Sequence, residues 1–181
     1  MKTKIISALL SVILLAGCGK NTPETPPSVT VDAGGISVSN TTSLSCWNNT
    51  VYLLNGAADD WIEKYGEPIF LPLGTVFRVT IPSNSAEPDT IVVKDILINE
   101  DGSPKYDEKA AVNELSATLE DNIITFSLDN HWASGLSSDS EDYKEGAVWR
   151  CFEITCTWDE NVCVYSFCVR TNPTFIFEQD K

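Results

Sequence analysis

The chain is poor in the residues that most enzyme chemistry and most nucleic-acid binding draw on. It has one histidine, His131, and its 12 Lys and Arg face 26 Asp and Glu, for a formal net charge of −14 at pH 7. A Ser-His-Asp arrangement would have to use His131, yet no serine lies in a nucleophile-elbow context, so no catalytic residue is assigned. Phosphate binding needs a basic footprint; the few basic residues are scattered, which excludes nucleic acid as a partner. The longest apolar run, residues 5–15, covers about 11 residues where a bilayer span needs roughly 20. There is no Cys-x-x-Cys and no βαβ pattern, so a thioredoxin-like redox centre is not expected. The acidic stretch Ser138-Asp139-Ser140-Glu141-Asp142 lacks the Asp-x-Asp-x-Asp-Gly order of a calcium loop and reads as a solvated connection. No internal repeat points to a propeller, and helical periodicity is nearly missing.

What remains is alternation with a period of two, which makes the folded part an all-β chain. Strands are expected over 28–32, 35–39, 49–54, 75–81, 90–98, 115–120, 123–128, 147–157 and 162–171. Asp101-Gly102 and Asp121-Asn122 are short turn signals, and Pro82-Ser83-Asn84-Ser85 marks a longer loop. One short helix is expected over 58–65: Asp59 and Asp60 suit its start, Gly66 the position past its end, and Pro68 blocks continuation. Residues 105–114 read as a second helical turn or an irregular crossing. Roughly nine short strands with turns every 8 to 12 residues fit a two-sheet antiparallel sandwich of immunoglobulin-like kind better than a closed barrel.

The cysteines of the last two strands are spaced symmetrically about a turn. With residues 158–161 as a hairpin loop, Cys156 opposes Cys163 and Cys151 opposes Cys168 in a single register. The apolar pattern agrees, since a one-residue slip would send every side chain to the wrong face. Phe152 with Phe167 and Ile154 with Tyr165 share the core face with Cys156 and Cys163. Trp149 with Arg170 and Glu153 with Ser166 share the other with Cys151 and Cys168. Opposed strand residues have Cα separations of about 4.5 or 5.5 Å, within reach of a disulfide, so one or two hairpin bridges are expected; the alternative is buried free thiols acting as small apolar residues. The pairs point to opposite faces, so no tetrahedral metal site is expected from them. Cys46 either stays free beside Trp47 or takes Cys151 or Cys168 in an inter-strand bridge.

The amino terminus carries an address. Lys2 and Lys4 precede the apolar run, and Leu15-Ala16-Gly17-Cys18 follows it. This resembles the lipobox of bacterial lipoproteins. The resemblance implies removal of residues 1–17 and acylation of Cys18, with attachment to the membrane through acyl chains worth about 0.8 kcal/mol per buried CH2. Gly19 rather than Asp after the cysteine implies sorting to the outer membrane; which face the protein occupies stays open, because Gly19-Lys20-Asn21-Thr22 lacks the acidic residues often found after the cysteine in surface-exported lipoproteins of Bacteroides-like bacteria. Residues 18–28, rich in Asn, Thr, Pro and Glu, read as an extended, solvated tether, and residues 29–181 as one domain. Together the lipobox, tether and strand pattern resemble the small sandwich lipoproteins of gut Bacteroides-type organisms.

Function is expected at loops, which a rigid sandwich presents at its two ends. Residues 129–145 form an unusually long connection with Asp129, Asn130, His131, Trp132 and Tyr143 as candidate ligand-binding residues. Trp132 could stack on a sugar ring or a peptide, or tuck into the core edge. The expected role is a non-catalytic binding or assembly module of the cell envelope with a glycan or protein partner and no cofactor. The alternative is a small envelope hydrolase.

Overall fold

The computed structural model describes residues 24–53 and 57–174. The signal-like segment 1–17, Cys18 and the first part of the tether lie outside the described residues. Eleven strands form: β1 (Thr30–Ala33), β2 (Ile36–Val38), β3 (Thr41–Trp47), β4 (Thr50–Leu53), β5 (Val76–Thr80), β6 (Thr90–Ile98), β7 (Val112–Leu115), β8 (Thr118–Glu120), β9 (Ile123–Ser127), β10 (Val148–Trp158) and β11 (Asn161–Thr171). They make a five-stranded sheet in the order β2-β1-β5-β9-β8 and a six-stranded sheet in the order β4-β3-β11-β10-β6-β7. All pairings between these strands are antiparallel. The fold is therefore the expected all-β, two-sheet antiparallel sandwich.

The long hairpin of β10 and β11 is the spine of the larger sheet. Its register opposes Cys151 to Cys168, Phe152 to Phe167 and Cys156 to Cys163, as the spacing predicts. Trp158 pairs with Asn161, so the loop is the two-residue turn Asp159-Glu160 rather than four residues, with Asp159 at φ +50°. The axis of symmetry is the same, which is why the register survives. Phe152 and Phe167 of this hairpin meet Phe77 and Phe126 of the opposing sheet, with neighbouring rings 5.1 to 5.6 Å apart. Burial of each ring contributes about 1.5–3 kcal/mol, plus about 0.5–1.5 for ring-on-ring geometry.

Three local expectations change. β3 was not expected, because its buried positions Ser43, Ser45 and Trp47 do not alternate apolar with polar; the Ser43 and Ser166 hydroxyls satisfy each other at 2.9 Å. The single strand expected over 115–120 is two, β7 and β8, one in each sheet. By contrast, of the two readings of 105–114 the helical turn is the one that forms: α2 (Glu108–Ala111), after α1 (Ala57–Tyr65), with Asp107 capping it by accepting from the Ala110 amide at 3.1 Å. Pro27, read from the sequence as part of the tether, is instead buried, and its carbonyl accepts the buried Tyr165 hydroxyl at 2.6 Å.

The helix α1 forms as expected, with Gly66 at φ +78° donating its amide to the Ile62 carbonyl at 2.8 Å. It lies on the outer face of the larger sheet, where Ala58 and Trp61 pack with Ile98, Cys151 and Cys168. The Trp61 indole N–H donates to the Ser39 carbonyl at 2.8 Å and fixes the helix to the other sheet's edge. Segment 69–71 then runs beside the end of β11, with Arg170 N to Ile69 O and Leu71 N to Arg170 O both 2.8 Å.

Candidate functional site

The five cysteines among the described residues are free. The opposed pairs have the predicted register without the predicted bond. Side chains at directly opposed positions project side by side from the sheet, whereas a disulfide needs a Cβ–S–S–Cβ dihedral near 90°. A thiol–thiol hydrogen bond with Cys168, joined by burial, pushes Cys151 well above the ordinary thiol range. Burial and the neighbouring Cys163 push Cys156 up to about 12, and burial raises Cys163 as well. Thiols held protonated are poor nucleophiles, so Cys151, Cys156 and Cys163 fill space as small apolar groups, and Cys168 is buried beside Cys151. Cys46 opposes Val162 and Val51, so it faces neither Cys151 nor Cys168.

The loop 129–145 is knotted rather than open. Two 3₁₀ turns, Trp132–Gly135 and Ser140–Tyr143, are tied by the buried Tyr143, whose hydroxyl proton is shared between the carbonyls of Gly135 at 2.9 Å and Ser137 at 2.7 Å. His131 is 1% exposed: Nδ1 accepts the Ala133 amide at 3.3 Å and Nε2 has no hydrogen-bond partner. Burial lowers the His131 pKa, against the pull of Asp95 and with the push of Arg150. Asp129, Asn130 and Trp132 are exposed, but the structure does not gather them with His131 and Tyr143 into a recess. The acidic stretch spends its carboxylates internally. Asp139 caps the second turn by accepting from the Glu141 amide, and Glu141 pairs with Lys144. Against the upward push of burial, Lys105, 2.6 Å away, and Ser137 hold the Asp142 carboxyl below its usual range. Among the described residues no group of three His, Cys, Asp or Glu side chains is placed to hold a metal ion.

Behind His131 lies a pair that composition could not reveal. Asp95 and Arg150 sit on the core face of β6 and β10, 0% and 1% exposed. The guanidinium forks onto the carboxylate, with Nε to Oδ1 at 2.8 Å and Nη2 to Oδ2, while Nη1 donates to the Asp129 carbonyl at 2.6 Å. The pair closes that end of the sandwich and pins the start of the long loop.

The recess that the loop does help build lies on the outer face of the larger sheet. A cleft of about 630 Å³ is floored by Trp149 and Arg170, register partners on β10 and β11. The end of α1 supplies Ile62, and the far half of the loop supplies Glu141, Asp142 and Glu145. Arg170 is fixed by Glu67 Oε1 at 2.8 Å and the Pro68 carbonyl at 3.1 Å. Gly146, at φ +73°, lets the loop close in: a Cβ there would lie 3.4 Å from the Phe70 ring. Trp149 is half-buried and its indole nitrogen has no partner among the described residues. Sequence reasoning had Trp149 beside Arg170 but not the helix and loop that turn the pair into a cleft. No family model, no curated protein and no solved structure matches this chain.

Proposed function

We propose that the protein is a lipid-anchored module of the bacterial outer membrane that binds a glycan or protein partner at the Trp149 cleft without catalysing a reaction on it. The supporting observation is Trp149 itself, an aromatic side chain with an unused donor that floors the cleft beside the fixed guanidinium of Arg170, with carboxylates lining the walls. An indole face with a few convergent polar groups suits a sugar ring or an extended peptide. The lipobox-like Leu15-Ala16-Gly17-Cys18 supports the anchor, and the tether supports presentation of the domain away from lipid. Binding is favoured over hydrolysis because the one histidine is capping a turn inside the protein, away from the cleft.

The test has two parts. Cys18→Ala shifts the protein from the membrane to the soluble fraction if the anchor is right. Titration with neutral oligosaccharides and with lysine-rich peptides, followed by tryptophan fluorescence, gives a saturable change that Trp149→Ala weakens about thirtyfold, as a hot-spot residue should. Binding of neither class, or binding indifferent to Trp149, overturns the reading.

A further inference from the structure

A second cavity, of about 400 Å³, opens on the same outer face on the other side of α1. Ile96 and Ile98 of β6 and Cys151 of β10 form one wall, and Ala58 of α1 with Pro104 of the turn after β6 forms another. The turn is pressed onto the helix: Gly102 is buried at φ +85°, and a Cβ there would lie 2.5 Å from the Asp59 backbone nitrogen and Cα. Only a glycine allows that approach, so the cavity's shape is built in.

The charged groups that line it are Asp59, Asp101 and Glu153, with no lysine or arginine among the lining residues. Asp101 is committed, accepting from the Ser103 amide at 2.9 Å and hydroxyl at 2.6 Å. Glu153 is not. It is half-buried and has no hydrogen-bond or ion-pair partner among the described residues. Lys94 is its register partner on β6 and lies outside the lining of the cavity. Burial raises the Glu153 pKa, and Lys94 offsets this only in part.

We propose that this cavity binds a small organic cation, an alkyl ammonium whose chain lies against Ile96, Ile98 and Ala58 and whose head donates to the Glu153 carboxylate. The volume lies in the range of small-molecule sites. An anion is excluded by three carboxyl groups, and a wholly apolar guest would strip water from Glu153 without replacing it. An ammonium meets both demands, because a charge-assisted hydrogen bond is the strongest that an unpartnered carboxylate can make. The proposal is independent of the Trp149 cleft.

The chain from Gly19 onward, which keeps every strand of both sheets, is titrated at pH 7.5 with n-hexylammonium, 1-hexanol and hexanoate and followed by amide chemical shifts. Hexylammonium is expected to give saturable shifts at Ile96, Ile98, Cys151 and Glu153, with hexanol about tenfold weaker and hexanoate silent. Glu153→Gln, which keeps the shape, weakens hexylammonium about tenfold; Ala58→Leu, which fills the cavity, abolishes binding; Trp149→Ala leaves it unchanged. Absence of hexylammonium binding, equal binding of hexanol, shifts that map to Trp149, or indifference to Glu153→Gln overturns the proposal.

Discussion

Cys151 and Phe152 are neighbours in one strand and belong to two different environments. Phe152 points inward, where a second sheet meets it with Phe77 and Phe126, and it is fully buried. Cys151 points outward, where its cover includes the nine-residue helix α1 and the turn at Gly102 but no second sheet. A helix is narrower than a sheet. It packs on Cys151 and Cys168, and leaves Trp149 on one side at a cleft and Cys151 with Glu153 on the other at the wall of a second cavity. Alternate residues of one strand thus run from the cleft, at Trp149, to the second cavity, at Cys151 and Glu153. The inner face, covered by a second sheet, carries stability; the outer face, covered by a helix, a turn and a loop, offers recesses.

That contrast can be broken at the inner face first. Phe152→Ala should cost about 3–5 kcal/mol in urea unfolding, since three rings pack around it, whereas Cys151→Ala on the outer face should cost about 1 kcal/mol or less. Similar losses would mean that the two faces are equally packed. Next comes the polar end of the inner face. Asp95→Asn should cost about 3 kcal/mol by leaving the Arg150 guanidinium buried without its counter-charge, while the paired replacement Asp95→Leu with Arg150→Met should recover most of that loss. A double variant as unstable as the single one would show that the pair itself, rather than its completeness, matters.

The smallest effect is a pH slope. His131 is buried neutral with a lowered pKa, so the unfolded chain takes up a proton near pH 6.5 that the folded chain resists. Its contribution to stability is therefore full above about pH 6.5 and is lost as pH falls from there toward the folded-state value. Asn at position 131 can still accept from the Ala133 amide without titrating. Stability curves of the wild type and His131→Asn between pH 7.5 and 5.5 should diverge, with only the wild type falling in that interval from this cause. Parallel curves would show that His131 is not held neutral.

Much of this fold was legible because a strand's period and a hairpin's symmetry are local facts. The β10–β11 register could be read from four cysteines and the aromatics between them, and α1 from Asp59, Asp60, Gly66 and Pro68. β3 was hidden because serine at buried positions carries no apolar signal; a hydroxyl partner 123 residues away replaces it. The division of 112–120 between β7 and β8 was hidden because Leu115, Ala117 and Leu119 keep alternating with polar residues while the chain changes sheets. At the candidate site, Trp132 drew attention as an aromatic in a long loop, yet the recess formed at Trp149, whose neighbours come from α1, the loop and β11.

By itself the sequence determined the class of fold, the facing of the final hairpin and the place of the main helix, because each follows from spacing along a few consecutive turns or strands. Tertiary structure alone decided that Asp95 and Arg150 share a core, that His131 is sealed behind them, that opposed thiols stay unbonded, and that cavities flank α1. These depend on which distant surfaces meet and how completely one layer covers another, and covering is a property of the assembled layers.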